Sequence, residues 1–325
     1  MDIIHQIKSQ FVQKQDTPKM KAVKILGTSQ DPNITFATHD KPTPQHDNLL
    51  IKVHAAGITA DEVNWPELYK TSSRIPGHDI SGVVEAVGPD YSGELKVGDE
   101  VFAMINADGE GGQAEYAVVA AGEVARKPSS LTHEQAAALP IPVLTAVEMV
   151  QKAGRAGRVL VTGASGAVGR ILVQIAEGEV VALASERNHA DLKQLGVKEC
   201  IDYNTDWLAT VKDVDVALDT AGGDMLKNCW SAVKKDGVIV TVGDPIPEWA
   251  FDRCEAEEAK EFPGVKYIFF IVTASGEKLG QVGRLIDEGK VKPLPVTVFD
   301  AQDAAEAWKH AAQRGRKGKV VIKFV

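Results

Sequence analysis

The segment VLVTGASGAVGRILVQIA (159–176) constrains this chain more than any other. An apolar run, a glycine-rich loop and a helical pattern follow one another without a break. That order of strand, turn and helix is the context a dinucleotide-binding fingerprint requires. The GxGxxG spacing falls on Ala164, Gly166 and Gly169, with alanine in the first place. Glycine at 166 removes the Cβ that would hold a pyrophosphate off the backbone. Glycine at 169 lets the helix approach the strand, and the helix N-terminus offers free N–H groups to an anion. A glycine turn with no ligand has the same local look, so the surroundings decide. EVVALAS (179–185), DVDVALDTAG (213–222) and VIVTVG (238–243) read as further strands. RNHADLKQLG (187–196) and KNCWSAVKKDG (227–237) read as helices between them, and VKYIFFIVTA (265–274) as one more strand. Alternation of this kind predicts a parallel sheet built from βαβ units.

The flanks read differently. LLIKVHAAG (49–57), SGVVEAVG (81–88), KVGDEVF (96–102) and EYAVVA (115–120) are short β-branched runs set off by Gly and Pro. THEQAAALPIPVLTAVEMVQKAG (132–154) is helical, with Thr132 as N-cap and an interruption at Pro140 and Pro142. The tail returns to the first style with KPLPVTVF, DAAEAWKHAAQ and KVVIKFV. A chain of 325 residues exceeds one average domain. The pattern predicts one domain inserted into another, an outer domain over 20–144 completed by 276–325, and a nucleotide-binding domain over 145–275 between them. Residues 1–19 read as an extension with at most a loose helix.

Charge excludes some functions. A net charge of −9 argues against a nucleic-acid binder, and no apolar run is long enough to cross a membrane. Cys200, Cys229 and Cys254 are odd in number and scattered, which excludes a four-cysteine zinc site and argues for a reducing, cytoplasmic setting. The run Arg314, Arg316, Lys317 and Lys319 reads as a solvated loop, and CEAEEAKEF (254–262) as an exposed helix or mobile loop near a cleft.

The second strand of the nucleotide-binding half ends in Ser185-Glu186-Arg187. Enzymes that take NAD place an acid there for the ribose hydroxyls. Ser185 and Arg187 suit a 2′-phosphate, which favours NADP (as NADPH), whereas an inward Glu186 would favour NAD.

The chain from Met20 onward resembles the zinc-independent medium-chain dehydrogenases/reductases of the quinone oxidoreductase branch. The likeness rests on IKVHAAGITADEVNW (51–65), IPGHDISGVVEAVG (75–88), KVGDEVFA (96–103), GGQAEYAVV (111–119), the glycine loop, VALDTAGG (216–223) and RGRKGKVVI (314–322). It implies an α/β protein: a GroES-like, partly β-barrel catalytic domain, an inserted Rossmann domain with a doubly wound parallel sheet, and a cleft between them. It also implies hydride transfer from NAD(P)H to a small electrophile, a quinone or α,β-unsaturated carbonyl, in a homodimer paired through the Rossmann sheet. Carried over by position, Ser165, Gly166, Ala167 and Val168 hold pyrophosphate. Ser185, Arg187 and Tyr203 lie near the 2′-phosphate. Thr145, Gly243, Phe270 and Val272 lie near the nicotinamide, and Lys319 near the cofactor.

Zinc-dependent relatives carry Cys where this chain has Thr59, and His in the motif that here reads GHD, at His78 and Asp79. No third ligand stands near the domain junction, so no metal is expected. Thr59 and Asn64 are the polar candidates to meet the substrate oxygen. Trp65, Pro66 and Tyr69 either line a pocket for flat substrates or pack their loop. Two other readings stay open: a nucleotide-binding protein without turnover, and a zinc-type alcohol dehydrogenase.

Overall fold

The computed structural model describes residues 17–70, 74–154, 157–313, 315–316 and 318–325. The expected extension therefore lies almost wholly outside the described residues, as do Arg314 and Lys317. A hairpin of β1 (Lys19–Thr28) and β2 (Asp31–Asp40) comes first. Then β3 (Leu49–Gly57), β4 (Asp79–Val87), β5 (Glu100–Met104), β6 (Tyr116–Val119) and β7 (Val124–Arg126) lead to α1 (His133–Ala137) and α2 (Pro140–Ala153). The middle of the chain runs β8 (Gly157–Val161), α3 (Ala167–Ile175), β9 (Gly178–Leu183), α4 (His189–Gln194) and β10 (Glu199–Ile201). It continues with β11 (Val214–Asp219), α5 (Gly223–Ala232), β12 (Val233–Thr241) and β13 (Lys266–Phe269). The last elements are α6 (Gly276–Asp287), β14 (Val296–Asp300), α7 (Ala304–Ala311) and β15 (Lys319–Lys323).

Two sheets organise these elements. Six strands pair in the order β10-β9-β8-β11-β12-β13, and every pairing is parallel. That is the Rossmann order, with its switch point between β8 and β11, outside whose carboxyl ends ligands bind. The second sheet runs β14-β15-β3-β4-β5-β7, with β6 on β3. Strand β15, from the far end of the chain, lies antiparallel to β3, which closes the GroES-like domain from both termini. Among the described residues no helix is long and apolar enough to cross a membrane.

The helix pair at the junction forms as its residues dictate. Thr132 caps α1 through a capping box with Gln135. Pro140 sits in the first turn of α2, where no N–H is missed, and Gly154 ends it in a left-handed conformation. The expected boundary at 144/145 thus falls inside one continuous helix. Leu144 and Met149 are fully buried in an apolar core that includes Phe102 of β5, Val161 of β8 and Leu279 of α6. Burying such a side chain contributes about 1.5–3 kcal/mol.

Three elements differ from expectation. The helix expected at 227–237 begins at Gly223 and ends at Ala232. The chain then enters β12, where Lys234 pairs with Asp215 of β11 at 2.7 Å. The apolar run 265–274 gives only four strand residues, because just Lys266–Phe269 find partners on β12. The acidic stretch folds as a short turn of helix, Glu257–Lys260, anchored by buried Ala256 and Ala259, and it does not border the cleft described next.

Candidate active site

The glycine loop begins where β8 ends. Gly163 is left-handed (φ +59°), and a Cβ on Gly169 would stand 2.3 Å from its carbonyl oxygen. Gly169 is therefore where α3 touches the strand end. Gly166 precedes α3 in an extended conformation and is exposed.

The loop borders a cleft of about 750 Å³. Ser165, Gly166, Ala167, Val168 and Arg170 line it, with Ser185, Arg187 and Asn188 after β9 and Tyr203 after β10. The GroES-like domain contributes Ile58, Thr59, Ala60, Asp61, Arg316 and Lys319. Nine residues singled out from sequence thus share one cavity: Thr59, Ser165, Gly166, Ala167, Val168, Ser185, Arg187, Tyr203 and Lys319. Five do not border it. Thr145 is buried within α2, and Phe270 is in the core with the Lys152 ammonium 4.9 Å from its ring centroid. Val272 packs beside that core. Gly243 is buried so tightly that a Cβ would stand 2.2 Å from the Gly222 nitrogen. Asn64 is exposed in a short turn, its N–H donating to the Asp61 carbonyl at 2.8 Å. Asp61 accepts from the Trp65 indole at 3.2 Å, so it shapes that turn.

Arg316 and Lys319 correct the reading of a solvated basic loop. Lys319 is 5% exposed, and Arg316 is half-buried with its Nε unpartnered among the described residues. The register of β15 against β3 draws this segment in beside Thr59.

Three polar clusters support the cleft. In the first, Asp79 of β4 is fully buried; its Oδ1 accepts from the Ile141 N–H at 2.6 Å and its Oδ2 from the Lys319 ammonium. Burial pushes the Asp79 carboxyl up, and Lys319 pulls it back. Lys319 Nζ also lies 3.5 Å from Thr59 Oγ1. In the second, His78 Nδ1 donates to the Ile105 carbonyl at 3.0 Å, which leaves Nε2 as the acceptor facing Glu62 Oε1 at 3.4 Å. Burial pushes the Glu62 carboxyl up to about 8 and the His78 imidazole down to about 4. In the third, Asp219 ends β11 and accepts from Thr162 at 2.5 Å, Thr241 at 2.6 Å and the N–H groups of Ala221 and Gly222 at 3.1 Å each. This ties the carboxyl ends of β8, β11 and β12 together. Sequence reading missed Glu62 and Asp219. An acid inside an apolar strand was the available signal for Asp219.

A catalytic zinc needs three protein ligands. Thr59 offers only a hydroxyl, both ring nitrogens of His78 are engaged, and Asp79 is neutralised by an ammonium. Among the described residues no three His, Cys, Asp or Glu side chains are grouped to hold an ion. These residues do not fit zinc.

Residues 45–129 match the alcohol dehydrogenase GroES-like domain, and residues 195–322 match the zinc-binding dehydrogenase domain. The chain is 32% identical over 319 residues to a probable zinc-binding oxidoreductase, mitochondrial, of Arthroderma benhamiae, covering 90% of this chain and 93% of that protein. The solved quinone oxidoreductase from Coxiella burnetii superposes with a TM-score of 0.84 at 28% identity, covering 95% of this chain and all of that one. This chain belongs to the medium-chain dehydrogenase/reductase family, in its quinone oxidoreductase-like branch. A mitochondrial NAD(P)H oxidoreductase of Homo sapiens is a further family relative, 31% identical over 337 residues and covering 85% of this chain and 82% of its own. This family member is an oxidoreductase that uses a pyridine nucleotide.

Proposed function

We propose that this family member reduces quinones or α,β-unsaturated carbonyls with NADPH and without a metal. The observation that carries the reading is the shared cleft, where the glycine loop, Arg187 and Thr59 line one cavity. A bound dihydronicotinamide supplies the hydride. The protein's part is to hold the nucleotide, orient the acceptor and exclude water. The N–H groups that open α3 at Ala167 and Val168 border the cleft and offer a bound pyrophosphate a favourable helix dipole. Ser185 and Arg187 carry the preference for a 2′-phosphate. Glu186 is exposed and does not line the cleft, so it does not oppose that charge. Ile58, Ala60, Ile141 and Leu294 give part of the wall an apolar face, against which water is held off. Thr59 lines the cleft whereas Asn64 does not, which favours the Thr59 hydroxyl as the donor to the substrate oxygen.

A quinone or enone is electrophilic without a Lewis acid, so hydride transfer needs only positioning and a donor for the developing oxyanion. The test is consumption of NADPH and NADH with a panel of o-quinones and enones, in the presence of a chelator. NADPH-preferring turnover is the expected result. Tight nucleotide binding without turnover of any acceptor would leave a binding protein, and loss of activity on chelation would make the reaction metal-dependent.

We also propose a homodimer. β13 is the edge of the Rossmann sheet, and Phe251 and Ile271 beside it are 50% and 62% exposed. Edge strands with apolar neighbours invite pairing. Light scattering is expected to give twice the chain mass, and a monomer would refute it.

A further inference from the structure

We infer that the Lys319 ammonium occupies the electrophilic centre where zinc-dependent relatives hold their metal, and that with Thr59 it forms the oxyanion site of this enzyme. The inference builds on the reductase reading above and says which group takes the place of the ion. Thr59 and the GHD motif occupy the positions that hold zinc in those relatives, yet their side chains do not form a ligand set. A cation is present there all the same. Lys319 reaches across from β15, 240 residues from Asp79, and its Nζ contacts the Asp79 carboxylate. A buried ammonium is tolerated because that carboxylate neutralises it, and the Ile141 N–H steadies the carboxylate's other oxygen. The packing is tight: a Cβ on Gly57 would stand 3.0 Å from Asp79 Cβ and 3.3 Å from Lys319 Cε. The ion pair is therefore clamped rather than free to swing.

An ammonium has three N–H bonds. Asp79 takes one and Thr59 Oγ1, at 3.5 Å, is within reach of a second. A threonine hydroxyl that accepts from Lys319 has its own O–H left to donate. Both side chains line the cleft, so that O–H and the third N–H can converge on one ligand oxygen. When hydride adds to the acceptor carbon, a C–H bond forms and the π pair moves to the carbonyl oxygen. That oxygen takes a proton from Thr59, which regains one from Lys319. The neutral amine left beside Asp79 is reprotonated by water. Nothing beyond the hydride donor is oxidised.

The test uses 4-nitrophenol, whose phenolate mimics the reduced quinone, titrated into the full-length protein with and without NADP⁺ and followed by phenolate absorbance. An opposite charge within reach lowers an acid's pKa by about 1–3 units. Bound 4-nitrophenol is expected to ionise at least about one unit lower in the wild type. Lys319→Met should abolish the shift and lower kcat by about 100-fold, the loss typical of one oxyanion donor. Its NADPH Kd should stay within about threefold, well under one charge-assisted contact. Lys319→Met leaves Asp79 buried and uncompensated, so the Asp79→Asn/Lys319→Met pair, checked by thermal melting, controls for misfolding. Lys319→Arg should retain part of the shift. Binding without a shift, no binding, or a Kd for NADPH that rises steeply while kcat is kept would overturn the assignment; the last would make Lys319 a nucleotide-phosphate contact. The titration needs no turnover, so a protein that reduces none of the acceptors defeats the reductase reading and still leaves the Lys319 site decided.

Discussion

His78 Nε2 lies 3.4 Å from Glu62 Oε1, and both side chains are closed off from solvent. Burial holds both groups neutral, pushing the Glu62 carboxyl up and the His78 imidazole down. His78 gives its Nδ1 proton to the Ile105 carbonyl, and Glu62 Oε1 accepts the Gly77 N–H at 2.6 Å. Trp65 stacks on the imidazole at 5.5 Å, which closes the cluster from the turn above it. A protonated Glu62 can donate to Nε2, whereas an ionised one would leave a bare charge in an apolar surround.

Stability should therefore depend on pH in a defined way. Glu62 rises from 4.5 to about 8 on folding, so the folded state holds its proton while the unfolded state has released it. This contribution is fully present below pH 4.5 and is lost as pH rises towards 8. His78 falls from 6.5 to about 4, so its contribution is present above 6.5 and is lost as pH falls towards 4. The two oppose each other up to pH 6.5, beyond which Glu62 acts alone. Between pH 6.5 and 8 the wild type is expected to lose about 2 kcal/mol. Glu62→Gln mimics the protonated acid and should flatten that slope, as read by urea denaturation at several pH values. An unchanged slope would show that Glu62 does not hold the proton.

Nucleotide choice should rest on Arg187. Its Nη2 is packed so close to Gly315 that a Cβ there would stand 2.5 Å away. Arg187→Ala is expected to raise the Kd for NADPH by about tenfold or more, one charge-assisted contact, and to leave that for NADH nearly unchanged. Fluorescence titration of both nucleotides measures this. Equal losses would remove the 2′-phosphate assignment.

The helix–strand contact at the glycine loop has no spare room. In Gly169→Ala the new Cβ would meet the backbone of the loop after β8, 2.3 Å from the Gly163 oxygen and 2.6 Å from Ala164 Cα. Overpacking of this kind costs about 1–3 kcal/mol. The melting midpoint should fall by several degrees and nucleotide affinity should fall with it. A variant with wild-type melting and binding would mean that α3 can shift freely.

Asp219 accepts only from donors, two hydroxyls and two backbone N–H groups. Asp219→Asn turns an acceptor into an NH₂ that faces one of them. A buried group left unpaired costs about 1–3 kcal/mol, and the denaturation midpoint should drop accordingly. Asp219→Asn at wild-type stability would show that the network is dispensable.

Local pattern carried much of this protein. β3 runs over Leu49–Gly57 as its β-branched run predicts, and Thr132 and Pro140 place α1 and α2 through capping and ring geometry. The fingerprint at 164–169 was legible because a phosphate loop needs small residues at fixed spacing wherever it occurs. The hairpin β1–β2 was not, because its turn, Ser29-Gln30, has neither Gly nor Asn and β2 does not alternate buried and exposed positions. The end of the helix at Ala232 was hidden too, since the pairing of Val233 with Val214 of β11 makes that stretch extended.

The sequence alone thus determined the parallel sheet, the phosphate loop and the kinship, since each is written in neighbouring residues a few positions apart. Only the tertiary structure decided that Lys319 meets Asp79 and Thr59, that Glu62 meets His78 in a closed pocket, and that Trp308 donates to Gln113 at 2.9 Å from 195 residues away. The Lys319 contacts exist because β15 closes the GroES-like sheet against β3, and no short-range period encodes which distant strand will complete a sheet.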